Sequence, residues 1–180
     1  MSVERYNAVM KILDDQNHLS ERADSKAISL LSMLGIFTVF FVSQISNLDT
    51  EHLFMVILVV IYFISVLLAI VQIIMAISPR IRNIKKTLKA NPDAKPIPQP
   101  TFFAGICNFP DPKEYKKCLD DVIKNDEEIT DIYVEQIYQV AQINKTKYAC
   151  VNRAVWFVVL ALGSQLAIIA YVFANKPPTS

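Results

Sequence analysis

Two stretches of the chain carry apolar residues on every helical face and no charge at all: Ala27–Ser46 and Leu53–Ile77. A bilayer core of about 30 Å needs about 20 apolar helical residues, so each stretch predicts a membrane-spanning helix. The link Asn47–His52 is short enough only for a tight turn, which makes the two spans antiparallel neighbours. Asp49, Thr50 and Glu51 suit the start of the second span, where a side-chain cap and negative charge are favourable. A third stretch, Ala154–Phe173, is again long enough to cross, with Trp156 and Tyr171 near its ends, where amphipathic rings favour the interface.

Outside the spans the pattern turns amphipathic. Val3, Tyr6, Val9, Met10 and Leu13 recur at helical spacing, and neither Gly nor Pro interrupts the chain before the first span. One helix is therefore expected to run from the N-terminal segment into the membrane. Ser78–Pro79 ends or kinks the second span. Arg80, Arg82, Lys85, Lys86 and Lys89 then accompany Ile81, Ile84 and Leu88 on a short basic helix suited to anionic lipid, and Asn91–Pro100 is an extended, proline-rich linker. Asp111, Pro112 and Glu114 form a capping box that starts a helix, and Asn125 with Glu128 forms another. The stripe Ile129, Ile132, Tyr133, Gln136, Ile137, Val140, Ile143, Tyr148, Val151 reaches the third span without a breaker. A single helix over 126–173 would be about 72 Å long.

The predicted fold is an all-α membrane protein: three transmembrane helices, a cytosolic helical bundle, and a last helix continuous from cytosol into membrane. Its parts are a cytosolic amphipathic helix (1–26), a transmembrane hairpin (27–77), a cytosolic basic helix, linker and helical region (78–153), a third span (154–174) and an external tail (175–180).

Charge adds the orientation. Of 18 Lys and Arg residues, four precede the first span, thirteen lie in 79–153, and only Lys176 falls on the opposite side. The positive-inside rule then places the N-terminus and 79–153 in the cytoplasm and the C-terminus outside. The cytosolic segment holds 13 basic and 10 acidic residues, a balance that argues against nucleic acid. Cys107, Cys118 and Cys150 all fall in the reducing compartment at wide spacing, which argues against disulfides, and the two histidines lie on opposite sides, so no metal set is expected. The polar stretch before the first span does not read as a signal peptide.

The candidate chemistry is sparse. Three glycines in the chain exclude a Gly-rich phosphate loop, no nucleophile or zinc motif occurs, and no catalytic residue is assigned, so an enzyme is not expected. Within the spans, Ser32 with Gly35 and Gly163 with Ala167 form small-residue faces for close helix packing or self-assembly, and a homo-oligomer in lipid is expected. Gln44, Gln72 and Gln165 are expected to hydrogen-bond between helices. Asp24 and Lys26 mark the membrane entry. Lys26 can reach headgroups, whereas a carboxylate gains nothing from anionic lipid, which leaves a functional role open for Asp24.

Several short motifs resemble one family. Ala23-Asp24-Ser25-Lys26-Ala27 leading into a span, the proline-rich connector, Phe102-Phe103-Ala104-Gly105-Ile106, Glu114-Tyr115 and Lys147-Tyr148 before the last span are similar to the Pycsar transmembrane effectors of bacterial anti-phage defence. The resemblance implies a protein of the bacterial inner membrane, switched on by a cyclic pyrimidine mononucleotide (cCMP or cUMP) from a partner cyclase, which impairs membrane integrity and arrests the infected cell. A ligand of that kind needs a stacking surface and a cation. Phe102 and Phe103 are the candidates for stacking, Lys116, Lys117 and Lys147 for the phosphate, and Tyr115 and Tyr148 for hydrogen bonding. The alternative is a non-enzymatic membrane scaffold or assembly protein that docks a cytosolic partner.

Overall fold

The structure, a computed structural model, describes residues 3–44, 52–78, 101, 103–107, 109–123 and 126–175. Among the described residues five helices follow in chain order: α1 (Val3–Gln44), α2 (Leu53–Ile77), α3 (Phe103–Ile106), α4 (Pro112–Ile123) and α5 (Asp126–Ala174). No strand occurs among the described residues. The fold is thus all-α, and α1, α2 and α5 are each long and apolar enough to cross a membrane.

Uninterrupted helical pattern explains the two long elements. α1 continues from the amphipathic segment through Lys26 into the apolar run, and α5 does the same from Asp126. α2 occupies the apolar run 53–77 and stops where the Ser78 N–H bonds back to the Ile74 carbonyl, immediately before Pro79. Its N-cap is His52, whose side chain makes no capping bond; Asp49, Thr50 and Glu51 lie outside the described residues. So do the basic segment around Arg80–Lys89, the linker 91–100 and the Asn125 cap.

The chain divides into two compact units, one of residues 1–20 and 79–144, the other of 21–78 and 145–180. The second unit is a three-helix bundle. One core cluster joins Leu34 and Phe41 of α1, Met55, Tyr62, Val66 and Ala69 of α2, and Val158, Ala161 and Ile168 of α5. A second joins Ala27, Ile73, Ala76, Cys150, Val151 and Ala154. Residue numbers rise together along α1 and α5 and fall along α2, so α1 and α5 run parallel with α2 antiparallel to both. The Tyr62 hydroxyl donates to Thr38 Oγ1 at 3.2 Å, and its ring lies 4.3 Å from that of Phe41.

The bundle buries a run of alanines among its larger core residues and turns many large apolar side chains outward. Ala23, Ala27, Ala69, Ala154 and Ala161 are fully buried, whereas Ile36, Val39, Leu53, Trp156 and Phe173 point outward. An apolar exterior of that kind suits hydrocarbon rather than water. Hydroxyls within the spans are satisfied by their own helices: Ser29, Thr38, Ser43, Ser65 and Ser164 each donate to a carbonyl three or four residues earlier.

The small-residue faces behave differently from a packing seam within one chain. Ser32, Gly35, Gly163 and Ala167 are all exposed, and a Cβ added at Gly35 or Gly163 would meet nothing within 4 Å. The helices of the single chain meet instead through buried alanines and larger side chains such as Leu34, Phe41, Tyr62 and Ile168. The amides also depart from expectation: among the described residues the buried Oε1 atoms of Gln72 and Gln165 have no hydrogen-bond partner, and the Gln44 side chain lies outside what is described. Gln165 sits between Ala161 and Ile168 on the core face of α5, where its neighbours are apolar.

The first unit combines the start of α1, α3, α4 and the start of α5. Leu13, Ile132 and Val140 are buried there, and Tyr6 meets Tyr133 edge-on at 6.4 Å. Burial, and then the neighbouring Tyr6, push the Tyr133 hydroxyl above its ordinary pKa. Asn144, also buried, donates from Nδ2 to the Gln16 carbonyl at 2.7 Å, which ties α5 to α1.

Candidate functional site

The candidate residues fall into two groups. The first is assembled by α1 and α5 at the entry to the apolar bundle. Ala23 and Ala27, one turn apart, are fully buried, as is Ala154, with Cys150 nearly so; these small side chains allow the two helices to approach closely. Asp24 follows Ala23, and Lys147 lies one turn before Cys150 and Val151. The Lys147 Nζ donates to both Asp24 oxygens, to Oδ1 at 2.8 Å and Oδ2 at 2.7 Å. The Lys147 side chain is 13% exposed and that of Asp24 35%. Beside them the Lys26 Nζ stands 5.7 Å from the Tyr148 ring centroid, a cation–π contact at a solvent-accessible position.

The second group belongs to the other unit. Asp111 Oδ1 accepts from the backbone N–H groups of Lys113 at 2.7 Å and Glu114 at 2.8 Å, so the predicted cap does start α4 behind Pro112. The Tyr115 ring packs against Phe109 at 5.4 Å. Lys116 and Lys117 are exposed on the same helix. Gly105 is buried inside the one-turn helix α3. Cys118 is half-buried, and burial followed by the Asp121 carboxylate pushes its thiol above the ordinary range. Phe102 lies outside the described residues, and only the backbone of Phe103 is described.

The structure therefore brings together Asp24 with Lys147 and Lys26 with Tyr148, and places Tyr115, Lys116 and Lys117 together on α4. Lys147, proposed from sequence as a phosphate partner, has a carboxylate partner of its own. Sequence reasoning missed that pairing. It also missed Asn144, a polar residue beside the apolar stripe, where Ile143 had been assigned instead. The signal available was the polar break that Asn144 makes between Val140 and Val151. Among the described residues no group of three or more His, Cys, Asp or Glu side chains could hold a metal ion.

Three apolar spans, a shared apolar core and a charge pair at the membrane entry define a small, all-helical, multi-pass membrane protein. Residues 8–174 match the family model of the Pycsar effector protein domain, so the chain belongs to that family, which supports a role in the anti-phage Pycsar system. No match was found among curated proteins, and none among solved structures.

Proposed function

We propose that the protein is the membrane effector of an anti-phage system, activated by a cyclic pyrimidine mononucleotide, cCMP or cUMP, that a partner cyclase makes. Activation impairs the integrity of the bacterial inner membrane and arrests the infected cell, with no catalytic step of the protein's own. The observation that carries this reading is the family match over residues 8–174 in a chain with three helices apolar enough to span. The N-terminus and segment 79–153 lie on the cytoplasmic side, where the nucleotide is made, and the C-terminus lies outside.

The exposed small-residue faces around Gly35 and Gly163 support self-assembly, since they are open within one chain and suit close contact with a second copy in lipid. For the nucleotide, Lys116 and Lys117 are the favoured phosphate partners because both are exposed, with Tyr115 beside them. Phe102 and Phe103 are assigned the base. Lys147 is left a lesser part because Asp24 already neutralises it.

Co-expression with a cCMP- or cUMP-forming cyclase tests the reading. Membrane depolarisation is expected only when cyclase and effector are both present. Lys116→Ala/Lys117→Ala should lower nucleotide affinity of the purified full chain without changing its membrane level. Silence with both cyclases would reject the proposal.

A further inference from the structure

Two of the motifs that mark the chain, Ala23–Ala27 and Lys147–Tyr148, meet in space although Asp24 and Lys147 are 123 positions apart. We propose that the Asp24–Lys147 pair is an autoinhibitory clasp. It holds α1 and α5 in the resting register of the membrane bundle, and its release frees the bundle to rearrange. The inference rests on the reading of the chain as a gated effector and goes beyond it by naming the contact that keeps it closed.

Three observations carry it. Next to the pair, the buried side chains of α1 and α5 are mostly small, Ala23, Ala27, Cys150 and Ala154, with Val151 and, from α2, Ile73 and Ala76 completing the cluster. In lipid, apolar area gives helices little reason to stay together, so a directional contact sets their alignment. Within the membrane bundle the ion pair supplies such a contact between α1 and α5: both carboxylate oxygens lie within 2.8 Å of one Nζ.

Its depth is intermediate. At 13% and 35% exposure the charges attract more strongly than a surface pair. Each is also near enough to the interface to regain water or headgroups once parted. A fully buried pair would act as a fixed rivet, since parting it leaves a lone charge in an apolar core. This one can open. The Lys26–Tyr148 contact bridges the same two helices and would be lost in the same movement.

The test uses the full chain in cells without any nucleotide cyclase. Asp24→Lys and Lys147→Asp each set like charges face to face, and each should depolarise the membrane without cyclase. Asp24→Lys/Lys147→Asp restores opposite charges and should return the protein to silence. A shift of about tenfold in the closed-to-open ratio is expected from a partly exposed pair. The neutral variants Asp24→Asn and Lys147→Gln, which add no repulsion, should leak in the same direction and stand in for any reversal variant missing from the membrane. Silent single variants at wild-type membrane level would overturn the clasp, and so would a double variant as leaky as the singles. If the wild type stays silent even with cyclase, the effector reading fails instead. The clasp is then judged on the purified full chain by limited proteolysis between α1 and α5. Cutting in both singles and protection in the swap uphold it; equal protection in all variants overturns it.

Discussion

Tyr62 joins two spans by a hydroxyl and by a ring, and two substitutions separate those contributions. The side chain is fully buried, its hydroxyl donates to Thr38 Oγ1 at 3.2 Å, and its ring lies 4.3 Å from Phe41 and 5.4 Å from Phe63. Tyr62→Phe keeps the ring and removes one hydrogen bond. At 3.2 Å that bond is long for two hydroxyls, and interhelical bonds in lipid average about 0.6 kcal/mol, so a loss of about 0.5 kcal/mol is expected. Thr38 loses little, because its own hydroxyl already donates to the Leu34 carbonyl at 2.7 Å. Tyr62→Ala empties a ring-sized space that Phe41 and Val66 border, at a cost of about 3 kcal/mol. The ratio between the two losses is the informative quantity. Denaturation of the purified full chain in mixed micelles measures both, and a cycle with Thr38→Val isolates the hydrogen bond. A Tyr62→Phe loss equal to that of Tyr62→Ala would refute the reasoning, since it would put the weight on the hydroxyl rather than the packed ring.

Two further substitutions act on α4. Asp111→Ala leaves the N–H groups of Lys113 and Glu114 without their acceptor and should destabilise the helix start by about 1 kcal/mol, while Asp111→Asn should retain most of the cap. Faster amide hydrogen exchange confined to the first turn of α4 is the readout. For Cys118, burial first and the Asp121 carboxylate second disfavour the thiolate, so alkylation should be slow near neutral pH and keep rising beyond the pH at which an ordinary thiol levels off. Asp121→Asn removes the anion, lowers the thiol pKa and should speed alkylation at fixed pH; an unchanged pH profile would contradict the assignment.

The architecture was legible because length and lack of charge in the three apolar runs leave a helix few alternatives. The second span was read at 53–77 and found at Leu53–Ile77, and the last helix was read at 126–173 and found at Asp126–Ala174. The Asp111 cap was legible for a similar reason: cap, Pro and Glu are local signals. What one strand of sequence does not display is which face of a uniformly apolar helix turns inward. Glycines advertise close packing, yet Gly35 and Gly163 face outward, and alanines are among the buried side chains where the helices meet. Partnership across 123 residues is equally invisible: Asp24 and Lys147 were each singled out, but nothing local joined a carboxylate in α1 to an ammonium in α5.

The alanines buried among the larger core residues, set against the large apolar side chains outside, alter the usual relation between bulk and mutational tolerance. In a water-soluble domain the large apolar residues are inside, and exchanging one for another disturbs the packing. Here Ile36, Val39, Leu53, Trp156 and Phe173 face outward, so Leu, Ile, Val and Phe can replace one another there at little cost. Ala23, Ala27, Ala69, Ala154 and Ala161 are fully buried, so a larger side chain at any of them must displace what packs around it. The bundle is therefore expected to tolerate exchanges among its conspicuous outward residues better than growth of its least conspicuous inward ones.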